Sequence, residues 1–194
     1  MIDKVRNFCL KYRTKEKVLE AVYWDGLALE YASDKLKGDR DVVLEAVKTN
    51  WYALVHAGYE FRGDREIVMA AVRQNWQALL YASYELCNDK EVVMKAVRQH
   101  GDMLPECEFQ DWDSLPSLPR PDGGALGLAS KELRNDKEVV LEAVKTNWPA
   151  LEFASDELRA DRDVVLAAVK QDGRALEYVS DELKSELKKE VKND

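Results

Sequence analysis

Histidine is scarce in this 194-residue chain, with only His56 and His100, so general acid–base catalysis through imidazole has little to draw on. Cysteine is equally sparse: Cys9, Cys87 and Cys107 are odd in number and share no paired spacing. That excludes a disulfide framework and predicts free thiols in a reducing compartment. Long apolar runs are missing too. Met1 to Tyr12 carries Asp3, Lys4, Arg6 and Lys11 and has no apolar stretch of signal-peptide type, so neither a signal peptide nor a membrane span is expected, and an intracellular, cytoplasmic location is. There is no basic excess: 29 Lys and Arg stand against 37 Asp and Glu, a net charge of −8. Polyanion binding rests on phosphate neutralisation by cations, so nucleic acid is a disfavoured partner.

Apolar residues, at 46% of the chain, suffice for a core, and they recur with a period. Near-copies of one segment begin at Thr14, Asp39, Asp64, Asp89, Asp136 and Asp161, 25 residues apart except after Asp89, where the step is 47. The 22 extra residues are placed at Met103 to Gly124. Five positions are identical in all copies: Val18, Ala21, Val22, Ala28 and Leu29 in the first become Val165, Ala168, Val169, Ala175 and Leu176 in the last. Such self-similarity marks a repeat architecture.

Val43, Ala46 and Val47 stand at i, i+3 and i+4, one face of an α-helix, which we call helix A. Asp39, Asp64, Asp89, Asp136 and Asp161 are suited to cap its start, and an acid stands two residues later in each of these units. A base closes each helix, at Lys48, Arg73, Arg98, Lys145 and Lys170. These five bases are also the one ladder a nucleic-acid strand could read, although complementing the helix dipole accounts for them more simply. The expected stops are Asp25-Gly26, Asn50-Trp51, Asn75-Trp76, His100-Gly101, Asn147-Trp148 and Asp172-Gly173, with glycine supplying a left-handed C-cap and Pro149 opening the next helix. Helix B is shorter, buries Ala28, Leu29, Ala32 and Leu36, and needs its neighbours for stability.

Units of the form Asp136-Lys-Glu-Val-Val-Leu-Glu-Ala-Val-Lys, then Asn147, then Ala150-Leu-Glu-Phe-Ala-Ser-Asp-Glu-Leu-Arg, resemble the helical repeat known as domain of unknown function 4116. The resemblance implies helical tandem repeats without an established activity, cofactor or catalytic residue. The pattern is also similar to the leucine-rich repeat variant, which implies that helix B is partly 3₁₀.

The expected fold is therefore all-α: a single domain forming a right-handed α-solenoid of six helix-turn-helix repeats, 14–38, 39–63, 64–88, 89–135, 136–160 and 161–185, with an inserted loop at 103–124. Caps are expected at 1–13 and 186–194.

Chemistry is hard to place on this frame. His56 takes the slot of Tyr31, Tyr81, Phe153 and Tyr178 and reads as a packed ring, while His100 takes the slot of Asn50 and Asn147. His100, Cys107, Glu106 and Glu108 lack the second Cys or His pair of a tetrahedral site, so no metal is expected. Gly123-Gly124 lacks the spaced glycines and lysine of a phosphate loop. The carboxylates recur in every unit, whereas an active site is singular.

Trp51, Trp76 and Trp148 share the A–B turn, and the insertion, with Phe109, Trp112 and four of the five prolines, interrupts that same turn. Pro116 to Pro121 has the minimal spacing of a polyproline ligand, without a correctly placed base. The expectation is a monomeric, non-catalytic protein-interaction scaffold that meets its protein partner through Trp51, Trp76, Phe109, Trp112 and Trp148. The alternative is an inhibitor or regulator of an enzyme acting through 103–124, and nucleic-acid binding is the remote third.

Overall fold

The computed structural model describes residues 14–102, 124–180 and 183–184. All regular structure among them is helical, with no strand. The chain divides into two compact units, Met1–Leu86 and Cys87–Asp194.

In the first unit the A helices are Lys15–Trp24, Arg40–Thr49 and Arg65–Val72, each packed on the next. Asp39 shows how one begins. Its Oδ1 accepts the N–H groups of Asp41 and Val42 at 3.1 and 3.4 Å, and Asp64 does the same for Glu66 and Ile67, satisfying donors that a helix start leaves open. Thr14, in the equivalent place, makes no side-chain cap bond.

The predicted left-handed stop is corrected. Asp25, Asn50 and Asn75 are extended, with φ of −148°, −149° and −152°, and each side chain accepts the N–H two residues on. This Asx bond ends one helix and caps a second. Gly26 is needed for closeness instead: a Cβ there would lie 2.3 Å from the Ala46 carbonyl oxygen. The second helix is 3₁₀ in every case, at Gly26–Tyr31, Trp51–Val55 and Trp76–Tyr81. Helix B is thus two pieces, a 3₁₀ segment and, after a break at Ala32-Ser33, a short turn at Asp34–Lys37, repeated at Tyr59–Gly63 and Tyr84–Cys87.

The second unit repeats the scheme with A helices Lys90–Asp102, Lys137–Thr146 and Arg162–Val169, inner segments Gly124–Leu128, Trp148–Phe153 and Gly173–Tyr178, and outer turns Leu133–Asn135 and Asp156–Arg159. Pro149 opens its 3₁₀ segment as expected. The stop at His100-Gly101 is a second correction, because that helix runs on to Asp102. Among the six slots this one alone holds neither Asp nor Asn, so the sequence offers no Asx side chain there. After the insertion Gly124 has φ 61°, the one positive φ among the described residues, and opens an α-helical piece in place of a 3₁₀ one.

The five identical positions are buried in the first five copies, Ala125 and Leu126 among them, which supports placing the extra residues before Ala125. In the last copy Val169 and Leu176 are only half-buried, since no further A helix comes after Arg162–Val169 among the described residues.

Candidate functional site

The periodic polar side chains are used to join one copy to the next. The first residue of each A helix is basic, and in four of them it reaches the acids of the next copy. Lys15 Nζ lies 2.8 Å from Asp39 and 2.7 Å from Asp41, and Arg40 lies 2.7 Å from Asp64 and 2.6 Å from Glu66. In the second unit Lys90 meets Asp136 and Glu138 at 2.8 and 2.7 Å, and Lys137 meets Asp161 and Asp163, both at 2.8 Å. The Lys15 ammonium holds Asp39 below the usual aspartate range, and the Arg40 guanidinium does so for Asp64. For Asp136 and Asp161, burial pushes upward but is outweighed by Lys90 and Lys137 together with the capping N–H groups, so both also stand low.

A second joint is made by glutamine. Gln74 Oε1 accepts the Trp51 N–H at 3.0 Å, while its Nε2 donates to the Val47 carbonyl at 2.5 Å, so one side chain caps two helix ends of the preceding copy. Gln171 repeats this with Trp148 and Lys145. A third joint is backbone: Gly58 N–H donates to Lys37, Ser83 to Arg62, Ser130 to Cys87, Ser155 to Arg134 and Ser180 to Arg159. The Ser130 and Ser155 hydroxyls also donate to Asn88 and Asn135, at 2.7 and 2.5 Å. Gly63 and Ala160 hold the asparagine slot in two of the other copies, and a Cβ on Gly63 would meet Ser83 Oγ at an ordinary 3.8 Å. Gly63→Asn should therefore add a Ser83 bond and restrict the unfolded chain, raising stability by about 1 kcal/mol. Urea unfolding checks this, and a loss of stability would count against the joint.

The tryptophans divide. Trp76 is buried, at 6% exposure, so it is withdrawn from any partner. Trp51 and Trp148 are half-buried, with rings 6.5 Å from Tyr81 and 6.1 Å from Tyr178 of the next copy, and the Arg174 guanidinium covers Trp148 at 5.2 Å. Each indole shields a neighbour. Phe109 and Trp112, like most of the insertion, lie outside the described residues.

His56 is half-buried, packed edge-on to Tyr52 with centroids 6.2 Å apart, and burial holds its pKa down. It is a packed ring, as its slot suggests. Of the basic ladder at the helix ends, Lys48 lies 3.8 Å from Glu45 and Arg98 lies 3.0 Å from Glu142. Among the described residues no group of three or more His, Cys, Asp or Glu is placed to hold a metal ion, and no helix is long and apolar enough to cross a membrane.

A different pair escapes a reading of the sequence. Tyr59 and Tyr84 are 78% and 65% exposed and occupy one slot in consecutive copies, the first residue of the outer turn, as Asp34 and Asp156 do in two others; in sequence the slot holds Lys131 and Asp181 in the remaining two. Arg62 stacks on Tyr59 at 4.7 Å. The identical core positions draw attention inward, and only a comparison of what varies at an outward slot would have found this pair.

An all-helical chain whose near-copies are stitched to one another at fixed positions is a tandem-repeat protein. The family model described as Domain of unknown function (DUF4116) matches residues 14–62, 64–109, 122–159 and 136–184, and the chain belongs to that family. Comparison with curated proteins and with solved structures gives no match.

Proposed function

We propose that this protein is a non-catalytic protein-binding scaffold, a right-handed solenoid of six units that acts as a monomer in the cytoplasm. The observation that carries the reading is the exposed Tyr59–Tyr84 pair. Of the four exposed large apolar side chains among the described residues, Tyr23, Trp24, Tyr59 and Tyr84, only the last two project from one slot of successive copies. Aromatic side chains that bring large area at low entropic cost are typical binding anchors. The surface thus moves from the tryptophan turn to the outer turn, with Trp51 and Trp148 kept as bracing.

The test is a pull-down from source-cell lysate with the intact chain, with Tyr59→Ala/Tyr84→Ala, and with a chain lacking 103–124. Loss of a specific protein in the tyrosine variant alone, at unchanged helical content, supports the reading, and a reduction in capture of roughly tenfold or more is expected. Loss only on deleting 103–124 would overturn it in favour of the insertion as the binding element.

A further inference from the structure

The second copy departs from its neighbours at His56. Where other copies hold Tyr31, Tyr81, Leu128, Phe153 or Tyr178, this one holds a ring that can take a proton near neutral pH. In the first, third and fifth copies the 3₁₀ segment runs through this slot and the next residue is extended, Ala32, Ala82 and Ala154 having ψ of 157°. Here the segment stops at Val55, and His56 itself turns, with φ −92° and ψ −8°, its N–H donating to the Ala53 and Leu54 carbonyls. Two residues on, the Gly58 N–H donates to the Lys37 carbonyl at 2.9 Å, the joint to the preceding copy. Every other copy carries serine at that position, so this joint lacks the hydroxyl that Ser130 and Ser155 contribute to theirs. Tyr59 follows directly.

His56 packs edge-on to Tyr52, whose ring stands edge-on to Tyr81 of the third copy, both pairs at 6.2 Å. The charges that act on it come from the first copy: Glu30 of Gly26–Tyr31 attracts a proton to the ring, and Lys37 of Asp34–Lys37 repels one. Tyr81 is pushed up to about 12, chiefly by burial, and stays neutral at physiological pH. Glu60, on the turn that follows, lies over Gly58, where a Cβ would stand 2.6 Å from its carboxylate.

We infer that His56 makes the joint between the first two copies acid-sensitive: on taking a proton the ring gives up its packing on Tyr52, and the Gly58–Lys37 bond and the Tyr59 turn behind it open. A charged imidazolium is poorly suited to a half-buried slot that apolar and aromatic side chains fill elsewhere. Burial lowers the ring's pKa from the ordinary 6.5, with Glu30 opposing the shift and Lys37 adding to it. The closed joint therefore binds fewer protons than the open one. It is most stable above 6.5 and weakens as the pH falls through the closed-state value. Openings of this size are local and leave the rest of an array folded. The opening stands on its own; that it also switches off the Tyr59–Tyr84 surface in acid rests on the scaffold reading.

The experiment is amide hydrogen exchange of the ¹⁵N-labelled full chain, read by NMR from about pH 7.5 to about pH 5, a range in which the aspartate caps stay ionised. Corrected for the intrinsic pH dependence of exchange, Gly58 should lose protection as the pH falls, while Ser83 and Ser155, which make the same joint in the third and fifth copies, keep theirs. The His56 ring should titrate below 6.5, and Glu30→Gln should move its midpoint lower still. His56→Phe and His56→Tyr, the rings other copies hold in this slot, should abolish the loss at Gly58 while leaving His100 in place. Equal losses at Gly58 and Ser83, a loss that survives both substitutions, or a midpoint at or above 6.5 would overturn the switch. None of these measurements reads partner capture, which separates their failure from failure of the scaffold reading.

Discussion

Leu54→Ala should destabilise the protein by about 2–5 kcal/mol, while Leu176→Ala, the same substitution at the same repeat position, should cost roughly half as much or less. Leu54 is fully buried in the 3₁₀ segment Trp51–Val55. That segment packs on the A helices Arg40–Thr49 and Arg65–Val72 and lies against the 3₁₀ segments on either side, Gly26–Tyr31 and Trp76–Tyr81. Truncation there opens a cavity walled by successive copies, which cannot collapse without shifting each of them. Leu176 is half-buried in Gly173–Tyr178, and its removed methyl groups were already partly hydrated. In an array stabilised by nearest-neighbour interfaces, an internal position serves two interfaces and a terminal one serves fewer. Guanidinium unfolding of the two variants measures the difference. Equal losses would mean that the copies are stabilised internally and that the interfaces add little.

The same contrast marks what a sequence can and cannot disclose. The five invariant positions were legible because burial on both sides admits few side chains, so Val, Ala and Leu recur without exception. The helix starts were legible because an Asp cap is a local device. The stops were misread, since a Gly or Trp after Asn or Asp looks like a left-handed cap, while the chain uses the Asx side chain to pass from α to 3₁₀. Contacts between copies were hidden for another reason. Gln74 and Lys15 look like solvated polar residues until the offset between adjacent helices is known, and only that offset brings Gln74 to Trp51 and Lys15 to Asp39. Trp76 and Trp51 share a slot but not an exposure, a difference that the shared residue type does not announce.

Asp64 is where the local cap and the inter-copy ladder meet, and its replacement has the second largest expected effect. Asp64→Ala removes the acceptor for Glu66 and Ile67 N–H and also the partner of Arg40. The cap alone is worth about 1–2 kcal/mol at neutral pH; exposed ion pairs are individually weak. Asp64→Asn keeps an acceptor oxygen but not the charge, so it should recover most of that loss and leave only the ladder term missing. The two contributions then separate with pH. Asp39, Asp64, Asp136 and Asp161 all stand below the ordinary aspartate value of 3.8, so the folded chain binds fewer protons than the unfolded chain in that range. Their stabilisation is complete above about pH 4 and is lost as the pH falls through the depressed folded values. Urea unfolding of the wild-type chain should therefore weaken progressively below roughly pH 4, and more shallowly in Asp64→Asn, which has one such group fewer. An identical acid slope in the two proteins would mean that Asp64 titrates alike folded and unfolded, and the ladder would then be geometry without thermodynamic consequence.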